Sequence, residues 1–214
     1  MFISKQVTVT KELYKTIEDI DLSLKIYKAD DWKESDKRAA IIFFFGGGWV
    51  NGTIDHFKPQ SKYLASLGMV AITADYRVKD RHGTSPFQCV EDGKSAVAWV
   101  RCHSEELGID PERIAVGGGS AGGHVAASTV LLPDEEFIED KVVNEISSIP
   151  SAMVLFNPVL DTTESGYSAK KVGGRPEELS PLHHIREDIP PTIIFHGTDD
   201  MTVPFNNVEC LNRR

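Results

Sequence analysis

Residues Arg113–Ser128 read R-I-A-V-G-G-G-S-A-G-G-H-V-A-A-S, and this stretch decides the fold. Ile114–Gly117 is a short apolar run of the kind that forms a strand buried on both faces. The residues after Gly122 are helix-forming. Between the two lies Gly118-Gly119-Ser120-Ala121-Gly122, a G-x-S-x-G. A strand, a glycine-rich turn and a helix in that order are the context of a nucleophile elbow. Glycines permit so tight a turn, which lifts the Ser120 hydroxyl above the sheet into the field of a helix N-terminus. A serine that merely caps the helix is the plain alternative, and the strand and helix on either side weigh against it. Gly117-x-Gly119-x-x-Gly122 also satisfies a dinucleotide fingerprint. That site needs an acid at the end of the next strand, about 20 residues on. The corresponding stretch, Phe137–Glu145, is charged and shows no strand pattern. A phosphate-binding P-loop fails as well, because no Gly-Lys-Ser/Thr follows the glycines.

Outward from the elbow the same alternation continues. Val7–Thr10, Leu22–Tyr27, Ala39–Phe45, Val70–Ala74, Ala152–Phe156 and Thr192–His196 read as strands, and Ala39–Phe45 is a continuous apolar run ended by glycines. Phe57–Leu67 reads as a helix. A longer one opens at Ser85-Pro86, an N-cap and N1 pair, and stops before Gly108. Strands alternating with helices predict an α/β fold, a mostly parallel central sheet with helices on both faces. One domain is expected over 1–214, with a small cap or surface insertion at 133–180. That segment is acidic over Asp134–Asp140, then polar and Gly-rich over Thr162–Ser180.

Composition narrows the function. The chain has 214 residues, 41% hydrophobic and 26% charged, enough for one sizeable core. Its net charge of −9 repels phosphate backbones and anionic lipid, so neither nucleic acid nor a membrane surface is expected as a partner. Three cysteines without C-x-x-C spacing predict neither a disulfide framework nor a zinc site, and no metal is expected. The longest apolar runs fall far short of the roughly 18 residues of a membrane span. The first residues lack the pattern of a signal peptide. A cytoplasmic protein is expected, or a secreted one if Met1 is not the native start.

Two loops complete the chemistry. Phe45-Gly46-Gly47-Gly48-Trp49 follows a buried strand, and its glycines let backbone N–H groups point into a site unobstructed. Acyl transfer needs such donors for the oxyanion of the tetrahedral intermediate. The hydrolase template pairs them with the N–H of the residue after the nucleophile, here Ala121. Trp49 either lines an acyl pocket or is a core aromatic. Near the end, His196-Gly197-Thr198-Asp199-Asp200-Met201-Thr202-Val203-Pro204 is the only acidic loop placed after a late strand, where a Ser…Asp…His order puts the acid.

Taken together, F-G-G-G-W, A-D-Y-R (Ala74–Arg77), L-G-I-D-P-E-R-I (Leu107–Ile114), G-G-S-A-G-G-H and H-G-T-D-D-M-T-V-P resemble the α/β-hydrolase superfamily from about Leu22 onward. They look like hormone-sensitive-lipase-like carboxylesterases and acetyl-xylan or feruloyl esterase-like bacterial enzymes. The resemblance implies Ser120 as nucleophile, Asp200 as acid with Asp199 its neighbour, and oxyanion donors at Gly46, Gly47 and Ala121. It implies hydrolysis of short-acyl carboxylic esters, of small molecules or carbohydrates, through an acyl-enzyme and without a cofactor. Phe45 stands where the family usually has a histidine, which bears on loop geometry. Asp75, Tyr76 and Arg77 are expected to brace the end of the sheet, with Asp92 a candidate partner.

All seven histidines (His56, His82, His103, His124, His183, His184, His196) precede Asp200, whereas the hydrolase order places the base after the acid. The resemblance therefore implies a last helix, a last strand and the catalytic histidine beyond Arg214. Phe205–Arg214 reads as the opening of that helix. His183 and His184, in a loop after Ser180-Pro181, are the resident histidines most able to swing toward the site. The other readings are a serine peptidase of prolyl-oligopeptidase type and a non-catalytic hydrolase-fold binding protein.

Overall fold

A computed structural model describes residues 5–137, 146–167 and 169–209 of the chain. The expectations for 138–145 and for 210–214 lie outside these residues.

Seven strands form one sheet in the order β1-β2-β4-β3-β5-β6-β7. They are β1 (Val7–Ile17), β2 (Ile20–Ala29), β3 (Arg38–Phe44), β4 (Val70–Ala74), β5 (Ile109–Gly119), β6 (Ala152–Phe156) and β7 (Thr192–Phe195). β1 pairs with β2, and β2 with β4, in antiparallel fashion; from β4 across to β7 every pairing is parallel. The helices are α1 (Lys58–Ser66), α2 (Lys79–His82), α3 (Pro86–Cys102), α4 (Ala121–Leu131), α5 (Asp134–Phe137) and α6 (Asn206–Glu209). Two 3-10 turns, Ala169–Val172 and Pro181–His184, lie between β6 and β7.

The alternation of β3 separates the two faces, because successive side chains of a strand point to opposite sides. Ala40, Ile42 and Phe44 join Val90, Val97, Val125 and Val130 of α3 and α4 in the larger core. Ile41 and Phe43 join Ala65 of α1 and Tyr27 in the smaller one. Both faces are therefore covered, as the apolar runs of β3 and β4 require.

The end of β4 is held by buried charge. Asp92 of α3 is fully buried and accepts from the Arg77 backbone N–H (2.9 Å), from the Arg77 guanidinium (2.9 Å) and from Lys15 Nζ of β1 (2.9 Å). Arg77 reaches Glu91 as well, at 3.0 Å. Removing one member of such a cluster strands the others in low dielectric and typically costs about 3–5 kcal/mol. Arg81 pairs with Asp75 at 2.6 Å. The Asp75-Tyr76-Arg77 segment thus braces the sheet, with Asp92 as the partner of Arg77.

The strand order also positions the site. From β3 the chain moves outward to β4 on one side, and from β5 it moves to β6 on the other. The C-terminal ends of β3 and β5 therefore diverge at a topological switch point, the crevice where open parallel sheets bind ligands.

Candidate active site

Ser120 sits between the last residue of β5 and the first of α4 with φ 53° and ψ −119°, a conformation rare for any residue with a side chain. Such backbone costs about 1–3 kcal/mol and persists only where its surroundings over-determine it. Here the Ser120 N–H donates to Phe156 O at 3.0 Å, while its carbonyl accepts from His124 N–H (3.0 Å) and Val159 N–H (3.2 Å). The turn closes only because two neighbours lack a Cβ. A Cβ on Gly118 would lie 2.3 Å from Gly122 O, and one on Gly122 would lie 2.2 Å from Phe44 O.

The loop after β3 lies against this turn. A Cβ on Gly46 would stand 3.5 Å from Ser120 Cβ and 2.9 Å from Gly119 O. Gly47 has φ 136°, and its carbonyl accepts from Val50 and Asn51 N–H, which curls the loop back on itself. Among the described residues, the amides of Gly46, Gly47 and Ala121 have no hydrogen-bond acceptor. Phe45, in the place of the family's histidine, stacks on Tyr76 with ring centroids 4.1 Å apart. Tyr76 Oη donates to Phe45 O at 2.6 Å. Stacking and this hydrogen bond hold the loop where a histidine would otherwise do so, and they run directly into the Arg77–Asp92 brace.

Trp49 is 1% exposed, and its indole N–H donates to His124 Nδ1 at 3.3 Å. His124 Nε2 lies 2.6 Å from Leu179 O. Since Nδ1 accepts and a carbonyl cannot donate, His124 is the neutral Nε2–H tautomer. It links the helix after Ser120, the glycine loop and the segment before Pro181. The sequence carried no sign of this link, because helix position relates His124 to Ser120 but nothing local relates it to Trp49. Complete burial lowers the His124 pKa to about 4 from 6.5. The folded state then resists a proton that the unfolded state takes up below pH 6.5. Its contribution is whole above pH 6.5 and is lost as pH falls toward 4, about 3 kcal/mol in all. Chemical denaturation of wild type and His124→Gln at pH 7 and pH 4 checks this: the variant should lose clearly less stability between the two. Equal losses would remove His124 from the acid response.

Asp200 lies in the loop after β7, on the same edge of the sheet. Its Oδ1 accepts from Thr202 N–H (2.8 Å) and Val203 N–H (2.9 Å), and these amides, Val203 first, hold its pKa below the usual carboxylate range. Asp199 is exposed and makes no hydrogen bond among the described residues. The two adjacent carboxylates thus differ in exposure and in hydrogen bonding.

Six histidines are bonded away from Ser120. His196 Nε2 lies 2.8 Å from Val203 O, closing the Asp200 loop. His183 Nδ1 meets Ser180 Oγ (2.8 Å), and His184 Nε2 meets Glu177 O (3.1 Å). His82 Nδ1 accepts from Val78 N–H, His103 Nδ1 meets Trp99 O, and His124 is placed as above. His56 packs edge-on against Phe45. Among the described residues no hydrogen bond joins any of these imidazoles to the Ser120 hydroxyl. Among the described residues no three His, Cys, Asp or Glu side chains converge as a metal site would require. No helix among them is long and apolar enough to cross a membrane.

Comparison with known proteins bears on this arrangement. The BD-FAE family model matches residues 24–168. An esterase from Thermogutta terrifontis, solved in native form, is 47% identical with a TM-score of 0.87, covering 98% of this chain and 78% of that one. The same esterase phosphorylated by paraoxon is 49% identical with a TM-score of 0.88, covering 96% and 78%. A probable carboxylic ester hydrolase of Mycobacterium tuberculosis, LipM, is 31% identical over 82% of this chain and 45% of its own length. The chain spans about half the length of the curated mycobacterial relatives it matches.

Proposed function

This chain belongs to the BD-FAE family within the α/β-hydrolase superfamily, and we propose that it is a serine hydrolase of short-acyl carboxylic esters. The observation that carries the proposal is Ser120, held at φ 53° on a strand-to-helix turn against the glycine loop. In this reading the Ser120 hydroxyl attacks the ester carbonyl. The amides of Gly46, Gly47 and Ala121 receive the oxyanion, the alcohol leaves, and water releases the acyl group. Asp200 orients the base and stabilises its imidazolium: two backbone amides hold one carboxylate oxygen and leave the other for an imidazole. Trp49, buried against His124, steadies the loop. In this reading the insertion expected at 133–180 acts as a small cap, supported by Tyr167, which packs 5.8 Å from Trp49, and by Leu179 O, which accepts from His124 Nε2. Short acyl groups fit the solved forms of the Thermogutta esterase bound to propionate and butyrate.

No imidazole among the described residues is bonded to the Ser120 hydroxyl, so this reading takes its base from outside these 214 residues. Activity is therefore to be measured on a chain continued past Arg214 in its reading frame, or on the 214 residues with added imidazole. Aryl acetate and butyrate should be hydrolysed faster than the octanoate. No hydrolysis of any of the three under either condition overturns the reading. On the same assay Asp200→Asn should cost orders of magnitude more turnover than Asp199→Asn, and the reverse ranking would move the acid to Asp199.

The placement of the histidines also favours a second reading, a hydrolase-fold protein that binds esters without turning them over.

A further inference from the structure

Beside the glycine loop, on the edge of the sheet that carries Ser120, lies a cavity of about 360 Å³. Gly48 and Trp49 form one wall, Lys79 and Ser85 another, and Lys170 and Lys171 a third. These come from three separate parts of the chain: the loop after β3, the segment between β4 and α3, and the 3-10 turn at Ala169–Val172. Among the described residues no carboxylate lines the cavity. None of the three lysines pairs with an acidic side chain among the described residues. All three are exposed, and Lys171 Nζ leans inward to within 3.4 Å of Gly48 O.

This is an unusual grouping in a chain whose net charge is −9. Three like charges round one concavity repel each other, and a bound anion would relieve that repulsion. One further feature points the same way. The 17-residue helix α3 begins at Pro86 on the wall, so its positive end adds to the lysines. The volume lies at the small end of ligand pockets, enough for a ring-sized group.

We propose that this cavity is a subsite for an anionic group, a carboxylate or a phosphate, carried by the ester that Ser120 cleaves. The proposal rests on the esterase reading for its link to catalysis, but the binding it asserts does not. Gly48 and Trp49 border both the cavity and the proposed oxyanion loop. In this proposal an ester held at Ser120 extends its far end past that loop toward the lysines.

Binding to the 214-residue chain tests the subsite without turnover. Benzoate, phenyl phosphate and neutral benzamide are titrated at about 10 mM and 150 mM ionic strength, since screening at the higher value shortens the reach of exposed charges to about 8 Å. At low salt one or both anions should bind at least tenfold more tightly than benzamide. The preference should shrink with salt and vanish in the triple variant Lys79→Ala, Lys170→Ala, Lys171→Ala, whose exposed positions leave the core untouched. Whichever anion binds better identifies the group. Equal affinities, or a preference that survives in the triple variant, overturn the proposal. The catalytic arm compares the acetate esters of 4-hydroxybenzoate and 4-hydroxybenzamide on the active preparation. The ratio of their kcat/KM values should favour the charged ester and collapse toward one in the triple variant through KM. If neither ester is hydrolysed, the esterase reading fails while the titrations still decide the subsite.

Discussion

Ser120→Ala should abolish ester hydrolysis, lowering turnover by about 10⁶ while leaving the fold intact. The substitution removes one oxygen from a half-buried side chain and keeps every backbone bond that holds the turn. Phe156 O, Val159 N–H and His124 N–H all bond to the main chain of residue 120, not to its hydroxyl. The tertiary structure therefore stays in place while the attacking atom disappears. The amides of Gly46, Gly47 and Ala121 would remain, which is why a residue of catalysis over water is expected. The check has two parts, both on the preparation supplied with a base. Aryl acetate turnover should fall to near background in the variant. Paraoxon should add one phosphoryl group to the Ser120 peptide of the wild type and none to the alanine variant. Unchanged turnover, or label on another residue, would take the nucleophile away from Ser120.

The second large effect concerns the general base. The 214 residues alone should hydrolyse an aryl acetate slower, by about 10⁶, than a chain carrying a histidine over Ser120. The argument is geometric. β5 and β7 are separated by β6, so the loops bearing Ser120 and Asp200 stand roughly 10 Å apart at the usual strand spacing. An imidazole must enter that gap from above. His196 Nε2 lies 3.7 Å from Oδ2 of Asp200, the proposed acid, but its Nε2–H is spent on Val203 O and its side chain is 1% exposed. His183 and His184 are tied to Ser180 and Glu177. The measurement compares the 214 residues, with and without imidazole, to a chain continued in its reading frame. Imidazole should raise the rate of the wild type above that of Ser120→Ala under the same conditions. If the 214 residues match the continued chain, a resident histidine is the base. His183→Ala and His184→Ala would then identify it.

Much of the fold could be read from local pattern. The strands expected at Val70–Ala74 and Ala152–Phe156 are β4 and β6, and the helix expected from Ser85-Pro86 is α3. Uniform apolar runs mark strands with both faces covered, and a serine followed by proline marks a helix start. The apolar pattern marks only Ile114–Gly117 of β5, which begins at Ile109. Asp110, Pro111 and Glu112 interrupt the apolar pattern there. The register against β3 shifts between Arg38 and Ala40, and that irregularity accommodates them. Such a shift depends on the neighbouring strand, so no pattern within residues 109–113 announces it.

The site divides along the same line. The elbow is a property of five consecutive residues: a left-handed serine needs a tight turn, and the turn needs Gly118 and Gly122 because carbonyl oxygens stand where a Cβ would be. Composition and order alone determined that much, along with the loop amides that three successive glycines expose. What a side chain does when its partner is distant in sequence was decided only by packing. Trp49 could have faced a substrate, and burial against His124 turned it into a brace. Asp199 and Asp200 are chemically identical neighbours, and only the turn that places Thr202 and Val203 N–H beside one of them tells them apart. Lys79, Lys170 and Lys171 carry no motif, and they meet around one cavity only after the sheet has brought three loops to the same edge. Local conformation follows from short-range sterics, which a sequence states outright; convergence of remote side chains depends on how the whole core closes, and only the tertiary structure contains that.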